Sequence, residues 1–166
     1  IMERQVAALT KFLTTDDVIV VVGFKKESII EAFSNLTYVF NDVFDKTNTA
    51  KSLLRGLRKT RSEDVMWLNG DVIYDPEVVG RVHASEGSCM AVNTSSVAEE
   101  EVKYNTRPDG SIGEVSKTVS DPLGEAVGVN KIAAADVPLL LESLERCEDN
   151  DYFERGIELA IGGGLE

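Results

Sequence analysis

Five consecutive residues, Val18 to Val22, form a β-branched run that restricts the fold of this chain more than any other feature. An unbroken apolar run of this kind, ended by Gly23, predicts a strand that is buried on both faces. Such strands occur in parallel sheets, where helices cover both sides of the sheet. Helices predicted over residues 2–13 and 26–34 flank the run and supply these covers. The run therefore predicts an α/β protein.

Helix and strand continue to alternate after this run, which favours a three-layer α/β/α, Rossmann-like fold with a mixed, mainly parallel sheet. In the first half we predict a strand over 37–40, a helix over 49–61, a strand over 64–68 and a helix over 76–84. In the second half we predict short strands over 88–93, 102–105, 112–117 and 126–132, then helices over 135–146 and 152–161. Asp109-Gly110 predicts a hairpin turn between two of the short strands.

Length and charge exclude several classes of function. The 166 residues fit a single domain, 1–166, and the net charge of −12 argues against a nucleic-acid-binding role, because phosphate backbones are bound by excess Lys and Arg. No apolar run approaches the roughly 20 residues that a membrane span needs. Cys89 and Cys147 have no second Cys or His at metal-ligand spacing, and a reducing cytoplasm is the expected location.

An apolar strand leads directly into Asn69-Gly70-Asp71, which is the strongest local indication of chemistry. Ligands of open α/β sheets bind beyond the carboxyl ends of the strands. A carboxylate at that position can hold a hard cation that bridges phosphate oxygens. Asp71 is therefore our candidate metal ligand, and a simple polar turn is the alternative interpretation of the same three residues.

Several motifs, in a shared order, give the chain a family resemblance. They are M-E-R-Q-V-A-A-L at 2–9, V-V-V-G-F at 20–24, N-T-A-K-S-L at 48–53, W-L-N-G-D-V at 67–72 and N-D-Y-F-E-R at 150–155. Together they resemble the nucleotidyltransferase superfamily, and most of all the CTP:phosphocholine cytidylyltransferases and their relatives. The resemblance implies a sheet of the nucleotide-diphospho-sugar transferase type. It also implies an enzyme that needs Mg²⁺.

The reaction implied by this resemblance transfers a nucleoside monophosphate, CMP from CTP in our leading hypothesis, to a phosphorylated small alcohol and releases pyrophosphate. The acceptors of the family are phosphocholine, aminoethylphosphonate, inositol phosphate and sugar 1-phosphates. Positioning and Mg²⁺ supply most of the catalysis, because the charge on the phosphates is the main obstacle. A metal-dependent glycosyltransferase that uses a nucleotide-sugar, and a non-catalytic nucleotide-binding module, stay open as alternatives.

The resemblance also assigns roles to individual residues. Asp71 would bind Mg²⁺ and Lys117 would meet the phosphate of the acceptor, so these two are the catalytic candidates. The nucleotide would contact Asn48, Thr49, Asn69 and Gly70. The acceptor would contact Glu125, Asp151 and Glu154. Tyr104 is chosen separately, as an aromatic face for a cationic acceptor such as choline, because a quaternary ammonium cannot donate a conventional hydrogen bond. Simpler explanations exist for most of them: Asn48 and Thr49 can cap a helix, Lys117 can be solvated, and acids are favoured at a helix start.

The chain departs from the family at both ends. The family opens with a strand and a glycine-rich loop, G-x-G-[ST]-R, and no such segment precedes Ile1. The chain stops at G-G-G-L-E, short of a late strand whose Asp is the second metal ligand in relatives. We therefore expect a partial domain that lacks the first strand and the C-terminal strand. The sequence leaves the oligomeric state open, a homo-oligomer included.

Overall fold

Helices and strands alternate along the chain in the predicted order. The computed structural model describes residues 1–95 and 97–166. In chain order its elements are α1 (Met2–Leu9), β1 (Ile19–Val22), α2 (Lys26–Ala32), β2 (Thr37–Phe40), α3 (Thr49–Leu57), β3 (Val65–Leu68), α4 (Pro76–Ala84), β4 (Cys89–Asn93), β5 (Lys103–Thr106), β6 (Ile112–Ser116), β7 (Gly124–Ile132), α5 (Val137–Arg146) and α6 (Phe153–Gly162).

The main difference in secondary structure lies between α1 and β1. Helix α1 ends at Leu9, earlier than predicted, and a short 3₁₀ helix, Thr15–Asp17, follows it. Asp17 Oδ2 accepts hydrogen bonds from the Thr14 backbone N–H at 2.9 Å and the Thr14 hydroxyl at 2.6 Å. These hydrogen bonds stabilise the turn instead of a longer α1, because Thr and Asp side chains compete with the helix for backbone hydrogen bonds.

The strands form two sheets, and the parallel share is smaller than predicted. Strands β1 and β2 pair in parallel through the crossover helix α2. In the second sheet β7 pairs antiparallel with β3, β4 and β5, and β5 pairs antiparallel with β6. The β5–β6 hairpin turns at Gly110, whose φ of +90° suits glycine, as the Asp109-Gly110 pair predicts. The short connection explains the antiparallel direction of the β5–β6 pair, since parallel pairing needs a crossover of a dozen or more residues.

Helices cover both faces of the second sheet, which confirms the three-layer α/β/α arrangement. Lys131 of β7 points to one face, where its Nζ donates to the Ser85 carbonyl at the end of α4, at 2.6 Å. Ile132, the next residue, points to the other face and packs in the core beside α5 and α6. Helix α1 packs on α4, while α3 contacts α5, α6, β1 and β2. The α/β class is therefore confirmed.

Strand pairing does not connect the two sheets in the described part of the chain. Strand β1 pairs with β2 alone, and β3 pairs with β7 alone, so each has one unpaired edge among these residues. Helix α3 joins the two sheets instead, because it contacts β1 on one side and α5 and α6 on the other. The additional central strand that the family resemblance implies stays a prediction.

Candidate nucleotide-binding site

Two motifs from opposite ends of the chain meet at the start of α3. Asn48 caps this helix, and its Oδ1 accepts from the Thr49 backbone N–H at 2.8 Å. The Asn48 N–H donates to the Asp149 carbonyl at 2.7 Å. Thr49 Oγ1 accepts from the Phe153 N–H at 3.0 Å, across 104 positions of sequence. The structure thus brings N-T-A-K-S-L and N-D-Y-F-E-R together.

The same cluster extends to β3 through an aromatic pair. The rings of Trp67 and Phe153 have centroids 5.9 Å apart and meet edge to face at 89°. Aromatic pairs in this geometry are more stable than their buried area alone implies. Phe153 opens α6 and Trp67 lies one residue before the end of β3. This contact fixes the start of α6 beside the strand that leads to Asn69-Gly70-Asp71.

The turn that carries Asp71 is held from two sides. Gln5 of α1 donates through Nε2 to the carbonyls of Asn69 and Val72, both at 2.8 Å. The Asn69 N–H donates to the Gly128 carbonyl of β7 at 2.9 Å. A side chain at Gly128 would meet the Asn69 amide, and its φ of +74° also requires glycine. The backbone of the turn is therefore fixed while Asp71 itself stays at the surface.

Asp71 is exposed and has no side-chain hydrogen bond or ion pair with any residue that the structure describes. A carboxylate of this kind is available to a cation. In residues 1–95 and 97–166 no group of three His, Cys, Asp or Glu side chains could hold a metal ion by itself. Mg²⁺ is commonly held by one or two carboxylates plus substrate phosphates and water, and a single free carboxylate fits that ligand set.

Lys117 and Glu154 form a second charged group beside an exposed ring. Lys117 follows β6, and its Nζ lies 5.4 Å from the centroid of the Tyr152 ring. Burial raises the pKa of the Glu154 carboxyl, and hydrogen bonding to its own backbone and the charge of Lys117 lower it in part. Glu154 Oε2 is buried without a hydrogen-bond partner among the described residues. An ammonium, a buried carboxyl and an accessible ring thus stand together.

The other predicted residues serve the fold more directly. Glu125 uses both carboxylate oxygens within the chain: Oε1 accepts from Asn93 Nδ2 at 3.0 Å and Oε2 from the Ala98 N–H at 3.1 Å. Tyr104 is only 7% exposed, and its ring packs against Gly124. Asp151 Oδ2 accepts from the Glu148 N–H at 2.7 Å and stabilises the turn before α6. Sequence analysis assigns no role to Gln5 or Gly128, which hold the Asp71 turn.

The fold of this chain is similar to the folds of several solved nucleotidyltransferases. The sequence matches no protein-family model and no curated protein. The inositol-1-phosphate CTP transferase of T. maritima superposes with a TM-score of 0.77 at 16% identity, over 98% of this chain and 69% of that one. The CTP:phosphocholine cytidylyltransferase of Streptococcus pneumoniae has a TM-score of 0.67 at 15% identity, over 98% and 72%. The chain has the nucleotidyltransferase fold.

A third solved structure extends this likeness. A nucleotidyl transferase from Methanothermobacter gives a TM-score of 0.59 at 22% identity, over 97% of this chain and 65% of that one. In all three superpositions almost the whole of this chain is matched to part of a longer protein. The nucleotidyltransferase fold is therefore established by structure over nearly every residue. In the described ranges, no helix is both long enough and apolar enough to cross a membrane.

Proposed function

We propose that this chain belongs to a Mg²⁺-dependent nucleotidyltransferase that transfers CMP from CTP to a phosphorylated small alcohol and releases pyrophosphate. The observation that carries the proposal is the free, exposed carboxylate of Asp71, held on a fixed turn beyond β3 in a nucleotidyltransferase fold. Two solved structures that match 98% of the chain are a CTP transferase and a cytidylyltransferase, which favours CTP as the donor.

The nucleotide side of the site uses Asp71 and the start of α3. Asp71 would hold Mg²⁺, which neutralises phosphate charge and orients the triphosphate when bound. The Oδ1 atom of Asn48 already accepts the hydrogen bond of the helix cap, so its Nδ2 is the group that can donate to a base. Its partner Thr49 accepts from Phe153 and can still donate its hydroxyl proton. Gly70 would approach the phosphates through its backbone N–H. Asn69, whose own N–H donates to the Gly128 carbonyl, would approach them through its side-chain amide.

The acceptor side uses Lys117, with Glu154 and Tyr152 beside it. All the acceptor classes in the proposal carry a phosphate or phosphonate group, and Lys117 supplies a point charge that suits it. The exposed Tyr152 ring and the Glu154 carboxyl can receive the other end of the acceptor, including a quaternary ammonium, which binds aromatic faces. Asp151 orders the turn that carries these two residues.

The proposal is tested by measuring pyrophosphate release by the full-length protein. CTP, ATP, GTP and UTP are each supplied with Mg²⁺ and with phosphocholine, aminoethylphosphonate, inositol phosphate or a sugar 1-phosphate. We expect release with CTP and one class of acceptor. Asp71→Asn should abolish turnover while the circular dichroism spectrum stays unchanged. Glu86→Gln, which neutralises another exposed acid, should retain activity.

The outcomes separate the alternatives. No release with any acceptor would contradict the proposal, and full activity of Asp71→Asn would remove this residue from the mechanism. Transfer of sugar from a nucleotide-sugar without pyrophosphate release would support the glycosyltransferase alternative. Calorimetric binding of CTP with Mg²⁺, in the absence of any turnover, would support a nucleotide-binding module.

A further inference from the structure

A cavity of about 250 Å³ lies between the second sheet and the helices α5 and α6. Its helical wall is apolar and consists mainly of Leu140, Ile157 and Ile161. Ile132, which also lines it, pairs with Val65 at the first residue of β3. Asp71 follows the opposite end of that strand, and none of the side chains proposed to contact the nucleotide or the acceptor lines the cavity.

Three side chains on neighbouring strands form a row on the sheet side of this cavity. Asn130 of β7 is the direct register partner of Trp67 on β3 and of Met90 on β4. Residues directly opposite one another project from the same face of a sheet. All three line the cavity, and two of them carry N–H donors. A row of side chains with two donors therefore stands in an otherwise apolar wall.

Neither donor has a hydrogen-bond partner among the described residues. Asn130 is 2% exposed, and its Nδ2 is buried without a hydrogen-bond partner in the ranges that the structure describes. The same holds for Trp67 Nε1. Buried donors without partners are rare, since each costs the free energy of removing it from water. Two such donors at one cavity are the groups that a bound molecule with an acceptor atom would satisfy.

The charged side chains that line the cavity restrict which kinds of ligand can bind there. The ammonium of Lys131 is committed to the other face of the sheet, where it contacts the Ser85 carbonyl at 2.6 Å and Asp64 Oδ2 at 3.0 Å. The remaining charged side chain of the lining is Glu166. Its carboxylate disfavours an anion, and the unused groups are donors, so a neutral molecule with an acceptor fits best.

We propose that this cavity binds a neutral small molecule with a compact apolar body and a carbonyl or ether oxygen that accepts from Trp67 Nε1 and Asn130 Nδ2. Leu140, Ile157 and Ile161 would contact the apolar body. The volume is sufficient, since benzene enters an engineered apolar cavity of about 150 Å³. The inference does not depend on the proposed catalytic function, because none of the side chains that it uses is proposed to contact the nucleotide or the acceptor.

The single tryptophan of the chain makes the test direct, since Trp67 gives one indole N–H resonance. The ¹⁵N-labelled protein is titrated with acetophenone and, separately, with α-methylstyrene, which has the same shape but a methylene group in place of the carbonyl oxygen. We expect acetophenone to shift the indole resonance saturably and downfield. It should bind about tenfold more tightly than α-methylstyrene, because only the ketone satisfies the donors.

A pair of variants assigns the donor. Asn130→Leu keeps the volume but removes one donor, and it should reduce the affinity for acetophenone about tenfold while leaving that for α-methylstyrene unchanged. Asn35→Leu makes the same replacement at an exposed position and should leave both affinities unchanged. The amide spectrum of each variant reports whether it is folded, and the ligand pair tests the wild-type protein even if Asn130→Leu is not.

Three results would overturn the inference. Absence of a saturable shift would show that the cavity admits no ligand of this class. Equal affinity for the ketone and the alkene would show that the donors take no part in binding. A long-lived water cross-peak at the Trp67 indole proton that acetophenone does not remove would show that ordered water satisfies the donors.

Discussion

The two sheets of the molecule are stabilised in different ways. The N-terminal unit, β1 to β2 (residues 19–40), has a parallel pair of strands on which α3 packs. The main body, α3 to the chain end (residues 49–166), holds the continuous core of buried apolar residues. Every member of that core cluster lies between Ala50 and Leu165. The N-terminal unit, by contrast, leaves large apolar side chains in solvent: Phe24 and Phe40 are 67% and 49% exposed.

This difference shows where stability and adaptability lie in the chain. The second half of β7 (residues 128–132) and the facing sides of α5 and α6 are buried, so the main body should unfold as one cooperative unit. The N-terminal unit buries little beyond Val22, Leu36 and Val39. Segments with few buried contacts open locally at lower free energy than the core. We therefore expect the N-terminal unit to open before the main body unfolds.

The largest expected effect comes from a matched pair of leucine truncations. Leu144→Ala removes a side chain with 0% exposure from the core of the main body and should lower the free energy of unfolding by about 2–5 kcal/mol. Leu36→Ala removes the same atoms from the N-terminal unit and should lower it clearly less, because local opening limits the loss. Urea unfolding measures both. Equal losses would contradict the division into two regions of unequal stability.

A matched pair of glycine substitutions in α6 tests how closely the main body is packed. A Cβ at Gly156 would collide with the buried Leu144 side chain, so Gly156→Ala should lower the free energy of unfolding by about 1–3 kcal/mol. A Cβ at Gly162 meets no described atom within 4 Å. Gly162→Ala should therefore be neutral or raise the melting temperature, as Ala is the better helix former. A neutral Gly156→Ala would mean that this core can relax.

Most elements of the fold could be predicted from the sequence because each has a strong local signal. The Val18–Val22 run indicated β1, and Asp109-Gly110 indicated the β5–β6 turn. The direction of strand pairing had no local signal, since it depends on which distant strands meet β7. The end of α1 was missed because the Thr14–Asp17 hydrogen bonds compete with helix formation there.

The candidate site was predictable residue by residue but not as an arrangement. Asn48, Thr49 and Asp151 are polar residues at loop ends, and the sequence alone gives no indication that Asn48 contacts the Asp149 carbonyl. Tyr104 was chosen as an accessible ring, and alternation along β5 does not reveal which face is buried. Gln5 was missed because a polar residue on a surface helix has no local feature that marks a buried role.

Tyr74 lies beside α1, a helix that precedes the N-terminal unit in the chain yet packs on α4 of the main body. The Tyr74 hydroxyl lies buried without a hydrogen-bond partner among the described residues, and burial raises its pKa to about 12. Tyr74→Phe removes this unsatisfied group and should raise the free energy of unfolding by up to about 1 kcal/mol.

The alkaline limb of the stability curve provides a second measurement on Tyr74→Phe. Because the folded state favours the neutral phenol, the wild-type protein should lose stability as the pH rises from about 10, the ordinary value, towards about 12. The variant should lose less over that interval. Identical alkaline curves for both proteins would show that the Tyr74 hydroxyl reaches water in solution.

Glu154 gives the smallest effect, and the sign of its pH dependence is opposite to that of Asp42. In the main body burial raises the pKa of Glu154 above its ordinary value of 4.5, so its contribution to stability is fully present below that pH and is lost as the pH rises. Beside the N-terminal unit the Arg55 hydrogen bond lowers the pKa of Asp42, whose contribution is lost as the pH falls. Low pH therefore removes the contribution of Asp42, and neutral pH removes that of Glu154.

Glu154→Gln should raise the melting temperature at pH 7 and leave it nearly unchanged at pH 4, because the amide carries no charge that burial can penalise. Glu86→Gln replaces an exposed carboxyl and should leave the shape of the pH curve unchanged. If Glu154→Gln instead lowers the melting temperature at pH 7, then attraction to the Lys117 ammonium outweighs the cost of burial. The charged pair would then stabilise the fold as well as the proposed acceptor site.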